Sequence, residues 1–394
     1  MDRHRLDSIW PIEPKHEGLV PWYRLSVYHV ANNVEFHRDI YRFACQAPGL
    51  VVLHDLALDD FVRGMKAAGD PLGFAAEREA AQMREGLSSA RDFSIGPPLR
   101  DASCAHVLRR ARGVIVHSPF AKGYLETLGT RTPLFVVPHP AVEGEEDMRA
   151  ALGRRAEMRS RARADAADLL VVAPGDLNAA KQLEVLLASV ARLDEHVRVA
   201  LVGRRIEGYD VDGLVARSGL GDRVTLSTDV TDDDFRAWLV AGDAIVDLRH
   251  PHRGEVSGSL ARAMQAGRPS IVSAIGSYLD VPGELVLRVP PGPCDPEELA
   301  ATIRTLDEYP EMRARMGNAA KAHVERLRTT HATARGYEEA MEATLSVVTD
   351  PARTAYARWA RALTDIGIDE STLGLGYGLE YARAMETFRL SRDS

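Results

Sequence analysis

The 394-residue chain has only three cysteines, Cys45, Cys104 and Cys294, set far apart. No CxxC pair or Cys/His zinc spacing occurs, which excludes a disulfide scaffold and a zinc ribbon and fits a reducing, cytoplasmic setting. Long apolar runs are also missing. The longest are strand-sized, so no segment reads as a membrane span, and MDRHRLDSIWPIEPKHEG at the start lacks the apolar core of a signal peptide. There is no excess of positive charge: the net charge is -8, which argues against a nucleic-acid partner. Internal repeats and low-complexity tracts are absent. So are G-x-x-x-x-G-K-[ST] and G-x-G-x-x-G, which weakens a P-loop or dinucleotide reading.

What is present is an alternation of short apolar runs with longer helical patterns. The runs are LSVYHV (25–30), LVVLH (50–54), GVIVH (113–117), LFVV (134–137), LLVVA (169–173), VRVALVG (197–203), RVTLS (223–227), DAIVDL (243–248), SIVSA (270–274) and LVLRV (285–289). Most are continuously apolar, the mark of parallel strands covered on both faces. Helical patterns cover 35–46, 119–128, 180–193, 231–240 and 257–266. The fold class is therefore α/β, with two Rossmann-like domains facing across a cleft. The predicted divisions are an extended arm at 1–24, a reduced first domain at 25–150, a second domain at 166–328 and C-terminal helices at 329–394 packed over both.

Ligands of such sheets bind beyond the carboxyl ends of the strands, so the residues there carry the functional reading. RHPHRGEVSGSLARAMQAGRP (249–269) follows the DAIVDL strand. A helix starting near Ser257 leaves backbone N–H groups unpaired and carries partial positive charge, which suits a phosphate. Gly258 lets a ligand approach, and Glu255 can accept hydrogen bonds from hydroxyls. Phosphate and polyol together describe a sugar nucleotide; a plain serine cap is the bland alternative. In APGDLNAAKQLEVLL, Lys181 stands in the first turn of a helix, where it can reach a diphosphate or remain solvated. Arg204 and Arg205 follow VALVG and divide the same way. His54 and Asp55 end LVVLHD, where they can meet a sugar or activate an acceptor hydroxyl, although lone histidines are more often structural. His117-Ser118-Pro119 reads as a helix cap.

The order of these stretches (G-x5-K-helix, VALVG, RVTLSTDVTDDDFRAWLVAGDAIVDLR, then GEVSGSLARAMQAGRPSIVSAIGSYLDVP) resembles the GT-B fold retaining glycosyltransferases of group 1, or family 4. It does so well over 110–325 and loosely through APGLVVLHD. The resemblance implies transfer of a sugar from a nucleotide-diphosphate donor to an acceptor hydroxyl with retention, without an essential metal or cofactor. It implies that Lys181 and Arg204 serve the donor phosphates and that Glu255 holds the donor sugar. It also places the Ser257-Gly258-Ser259 amides at the diphosphate and Thr228-Asp229-Val230 along the base. In the expected site, that turn faces Lys181 across the inter-domain gap. The acceptor would be a carbohydrate, a natural product or a polysaccharide precursor.

Three departures stand out. Asp176 takes the place of a basic residue. Arg262 replaces the second glutamate of the E-x7-E element, one position early, and an arginine cannot accept hydrogen bonds from ribose; it is expected to contact phosphate or to stabilise the loop. The first domain also lacks its opening strands and glycine loop. ANNVEFH, with Asn32, Asn33 and His37, is the expected acceptor-side substitute. LSVYHV then becomes a sheet edge, expected to be covered by residues 1–24 or paired with a second copy. Two rival readings are a weak or inactive GT-B protein that binds a nucleotide sugar or a partner chain, and a nucleotide-sugar epimerase.

Overall fold

The computed structural model describes residues 23–70, 75, 77, 103–140, 143–327 and 329–346. Two parallel sheets organise it. The first runs β1 (Val27–Val30), β2 (Leu50–Leu53), β3 (Gly113–Val116) and β4 (Leu134–Val136), in that spatial order. The second holds six strands: β5 (Leu169–Pro174), β6 (Val197–Gly203), β7 (Val224–Thr228), β8 (Ala244–Asp247), β9 (Ser270–Ser273) and β10 (Val286–Val289). Its order is β10-β9-β8-β5-β6-β7, so the strand order reverses between β5 and β8. That crevice is where an open α/β sheet accepts ligands.

The apolar runs become strands because both sheet faces are covered: every residue of β2, β3, β5, β8 and β9 is buried. On one face of the first sheet pack α1 (Val34–Gln46), α2 (Asp59–Ala67), α3 (Ala105–Arg110) and α4 (Pro119–Thr127). The other face is closed by the last described helix, α13 (Thr330–Ser346), whose Tyr337, Ala340 and Met341 lie on Leu50, Val52 and Ile115. The chain therefore crosses back to its first domain. Among the described residues β1 is an edge of its sheet; of residues 1–24, expected to cover it, 1–22 lie outside the described set.

The division between domains falls earlier than the sequence suggests. The charged stretch after residue 144 is helical and packed. It forms α5 (Glu145–Gly153) and α6 (Arg155–Arg161), which pack on α9 (Asp232–Ala241) of the second domain. Arg155 and Arg159 both pair with Asp243, at 2.8 and 2.6 Å, and Met158 is fully buried. A paired charge can be buried where an isolated one cannot, so a polar sequence here still makes a packed helix pair. The remaining helices are α7 (Leu183–Val190), α8 (Val211–Arg217), α10 (Gly258–Gln265), α11 (Pro296–Glu308) and α12 (Pro310–Leu327). Among the described residues, no helix is long and apolar enough to cross a membrane.

Candidate functional site

The site grows from the end of β8. Asp247, its last residue, is fully buried. Its carboxylate accepts the Lys181 ammonium, the Ser257 hydroxyl at 2.5 Å and the Tyr278 hydroxyl at 3.0 Å. The segments after β5, β8 and β9 thus meet on one side chain. Burial alone would raise this carboxyl's pKa, but the charges of Lys181 and Arg249 outweigh it and hold it below the usual range. Lys181 ends a short 3-10 turn, Ala179–Lys181, and is itself buried.

Two glycines let the strand ends converge. A Cβ on Gly175 (φ 109°) would lie 2.8 Å from Ser259 Oγ and 3.2 Å from Lys181 Nζ. A Cβ on Gly203 would lie 1.9 Å from the Gly175 carbonyl oxygen. Lys181 and the 257–259 turn therefore lie side by side in the second domain. This corrects the expected arrangement across the inter-domain gap: Asp247 binds both.

Ser257 caps α10, its hydroxyl accepting the Leu260 amide at 3.1 Å. At Gly258 an added Cβ would meet nothing within 4 Å, so the helix start is open to a ligand. Glu255 is turned inward. Arg249 Nε lies 3.1 Å from one oxygen, the Arg253 amide donates to the other at 2.6 Å, and Ser277 donates to its carbonyl at 2.7 Å. Arg249, His252, Glu255, Ser257, Ile275, Ser277 and Tyr278 line a small pocket here.

The same loop touches the first domain. The amides of Leu56 and Ala57 donate to the Arg253 carbonyl at 2.9 and 3.0 Å, and Arg253 pairs with Asp60 at 2.7 Å. Opposite stand His54 and Asp55. Burial pushes the Asp55 carboxyl up to about 6, with a further push from the Glu255 charge, against the Asn32 amide that donates to it at 2.9 Å. His54 falls to about 3, chiefly by burial and then by its histidine neighbours.

Several expected contacts turn out to be engaged within the protein. Asn33 is the cap of α1, accepting from Glu35 and Phe36. Asn32 ties its own loop to the end of β2 through Asp55 and to α2 through Asp60 and the Phe61 amide. His37 bonds the His29 carbonyl at 3.0 Å. Asn33 thus serves the local backbone, while Asn32 is spent on a tertiary contact with α2. Arg262 reaches Glu143 and Asp232 and lies 4.4 Å over the Phe235 ring, so it braces the segment between the domains. Arg204 pairs with Asp176 at 2.9 Å and is largely exposed. Thr228 accepts from Arg205 at 3.2 Å, Asp229 adopts a left-handed backbone (φ 53°), and Val230 packs into the core around Trp238. Ser118 caps α4, accepting the Ala121 amide.

Asp247, Arg249 and Tyr278 carry the site and were missed from sequence. The available signal was the acid closing a continuously apolar strand, since a buried carboxylate requires a partner.

Residues 168–308 match the family model described as "Glycosyl transferases group 1". A 2-deoxystreptamine glucosyltransferase of Streptomyces kanamyceticus is 28% identical over 123 residues, and the match spans about a third of each chain (31%). Among solved structures, a sucrose-phosphate synthase from Thermosynechococcus elongatus superposes with a TM-score of 0.60 at 20% identity, covering 82% of this chain and 74% of that one. Anabaena HepE in complex with UDP-glucose superposes at 0.58 and 16% identity, covering 82% and 79%. The chain has the GT-B fold, and its second domain matches the group 1 glycosyltransferase model.

Proposed function

We propose that this GT-B chain is a retaining glycosyltransferase that moves a sugar from a nucleotide-diphosphate donor to an acceptor hydroxyl. One observation carries the reading: an inward-turned Glu255, held by Arg249, stands beside the open start of α10 at the carboxyl ends of the second sheet. Amides at a helix start suit a diphosphate, and a carboxylate beside them suits sugar hydroxyls.

The leaving diphosphate gains negative charge as the anomeric bond breaks, and fixed dipoles aimed at that charge lower the barrier. The Gly258 and Ser259 amides supply them. Arg204 can join, because an exposed ion pair with Asp176 is worth only about 0–1 kcal/mol and opens readily. Lys181 acts from beneath: buried on Asp247, it positions Ser257 and the turn. Glu255 fixes the sugar, and the diphosphate can take the acceptor's proton on the face it leaves. Asp55, with its raised pKa, lies on the acceptor side beside His54. Closure through the Arg253–Leu56 contact excludes water, which would otherwise hydrolyse the donor.

The relatives guide the donor and acceptor. One structural neighbour is a complex with UDP-glucose, and one relative is a 2-deoxystreptamine glucosyltransferase. UDP-glucose and a hydroxyl-rich aminocyclitol are therefore the first pair to try. The test is a thermal-shift screen with nucleoside diphosphates and their sugars, then product analysis. Stabilisation by a nucleotide sugar, with release of nucleoside diphosphate and an α-linked product from an α-linked donor, supports the reading. An inverted product overturns retention; a donor that binds without turnover overturns transfer; an isomerised free donor replaces transfer with epimerisation.

A further inference from the structure

Each of the four parallel strands in the first sheet delivers a histidine to its carboxyl end. His29 lies in β1, His54 follows β2, His117 follows β3, and His139 lies just beyond β4. Ring centroids of His117 and His139 are 4.1 Å apart, those of His54 and His117 4.8 Å, and those of His54 and His139 5.5 Å. One nitrogen from each of His54, His117 and His139 lies within 4.8 Å of the other two.

The hydrogen bonds orient these rings. His117 Nδ1 lies 2.8 Å from the Val137 carbonyl oxygen, which can only accept, so the proton is on Nδ1 and Nε2 presents its lone pair. That Nε2 is 3.1 Å from His54 Nδ1. On its other side, His54 Nε2 is 3.0 Å from His29 Nδ1. Two imidazole nitrogens on one tetrahedral zinc ion, at about 2.0–2.1 Å from it, stand roughly 3.3 Å apart. The His54–His117 pair is already at that spacing, and with the three nitrogens within 4.8 Å of one another the His139 ring has to close the remaining distance to join it. A histidine ligand whose second nitrogen donates to a backbone carbonyl is the usual supported form, and the Val137 carbonyl supplies that support to His117.

We propose that His54 Nδ1, His117 Nε2 and one ring nitrogen of His139 form a site for a divalent d-block cation of the zinc class, with the fourth tetrahedral position left to water. Binding needs a tautomer shift along the chain. The proton on His54 moves from Nδ1 to Nε2, which then donates to His29 Nδ1, and the His29 proton moves to its own Nε2; no proton is lost. The site belongs to the first domain, apart from the diphosphate turn of the second, and it would tie together the ends of β2, β3 and β4.

The test titrates Zn2+ into the full chain, freed of any polyhistidine tag and stripped with chelator, by isothermal calorimetry. The expected result is one ion per chain, with a rise in melting temperature on addition. His54→Gln and His117→Gln should each weaken binding by at least the 10- to 100-fold that loss of a mere supporting partner costs. His331→Gln, at an exposed position on α13, should leave it unchanged. Metal-free melting curves check that each variant folds. If the buried position of His117 does not tolerate glutamine, His54→Gln and His139→Gln, both at half-buried positions, decide. Absence of Zn2+ binding, or binding that survives all three cluster substitutions, overturns the proposal.

Discussion

The ammonium of Lys181 rests on the carboxylate of Asp247, sealed beneath the turn that begins α10. Both groups are almost wholly inaccessible, and the same carboxylate also takes the hydroxyls of Ser257 and Tyr278. Removing one partner leaves a buried charge uncompensated. Asp247→Ala should therefore cost about 3–5 kcal/mol in urea unfolding. The double variant Lys181→Met/Asp247→Leu should recover much of that loss, because it removes both charges. A double variant as unstable as the single one would show that the pair is not the source of the penalty.

Glu255 lies at the cleft but is the carboxylate paired with the largely buried Arg249, so Glu255→Gln should fold with a modest loss of stability. It keeps the shape but weakens acceptance from sugar hydroxyls. Turnover of a nucleotide sugar should fall about 10- to 100-fold, the worth of one or two hydrogen bonds to a charged group, while affinity for the bare nucleoside diphosphate stays near wild type. Equal losses for both ligands would place Glu255 on the diphosphate instead.

Asp55 predicts a pH effect. Its carboxyl titrates near 6 in the fold against an ordinary value of 3.8. Between these values the folded state holds a proton that the unfolded state has released, so this group's contribution to stability falls as pH rises from about 4 to 6. Two units correspond to about 3 kcal/mol; with the side chain still partly in contact with solvent, on the order of 1–2 kcal/mol is expected. Asp55→Asn should gain stability relative to wild type across that window and hold the gain above pH 6. Parallel stability curves for the two proteins would refute the assignment.

Gly254 has φ +79°, and a Cβ there would lie 2.4 Å from the Leu56 side chain. Gly254→Ala strains the backbone and wedges the loop carrying Glu255 away from the first domain. Stability should drop by about 1–3 kcal/mol, and small-angle scattering should report a larger radius of gyration. Arg253→Ala, which deletes only partly exposed ion pairs to Asp59 and Asp60, should cost about 1 kcal/mol or less.

Arg262 separates bracing from ligand binding. Its partner Glu143 is buried and also holds Arg236 at 2.8 Å. Arg262→Ala should destabilise by about 1–3 kcal/mol and leave nucleoside diphosphate affinity within about twofold, as measured by calorimetry. A large loss of affinity in a stable variant would restore the expected contact with phosphate.

Much of the fold was legible, because strands buried on both faces write themselves as continuous apolar runs. VRVALVG was read as 197–203 and is β6, residues Val197–Gly203. SIVSA and GVIVH lose only their last residue. That the polar pair α5–α6 packs against the second domain was not legible, because its charged residues look solvated until Asp243 is placed opposite Arg155 and Arg159. At the site, Lys181, Glu255 and Ser257 could be singled out, since a strand end followed by a helix start is a local pattern. Asn32 and Asn33 were assigned outward because a sequence does not show whether a short amide side chain turns to a ligand, to its own backbone as Asn33 does, or to a distant helix as Asn32 does.

The amino-acid sequence alone determined the alternation of strand and helix, and with it two parallel sheets whose carboxyl ends carry the polar residues. Those are consequences of neighbouring side chains and short periodicities. Tertiary structure alone decided which distant groups share a proton or a charge: Asp247 beneath Lys181, Glu143 against Arg262, and His54 between His29 and His117. Every arginine and acid looks alike along the chain. Parallel pairing joins strands separated by long crossovers, so only the folded register can choose the partners.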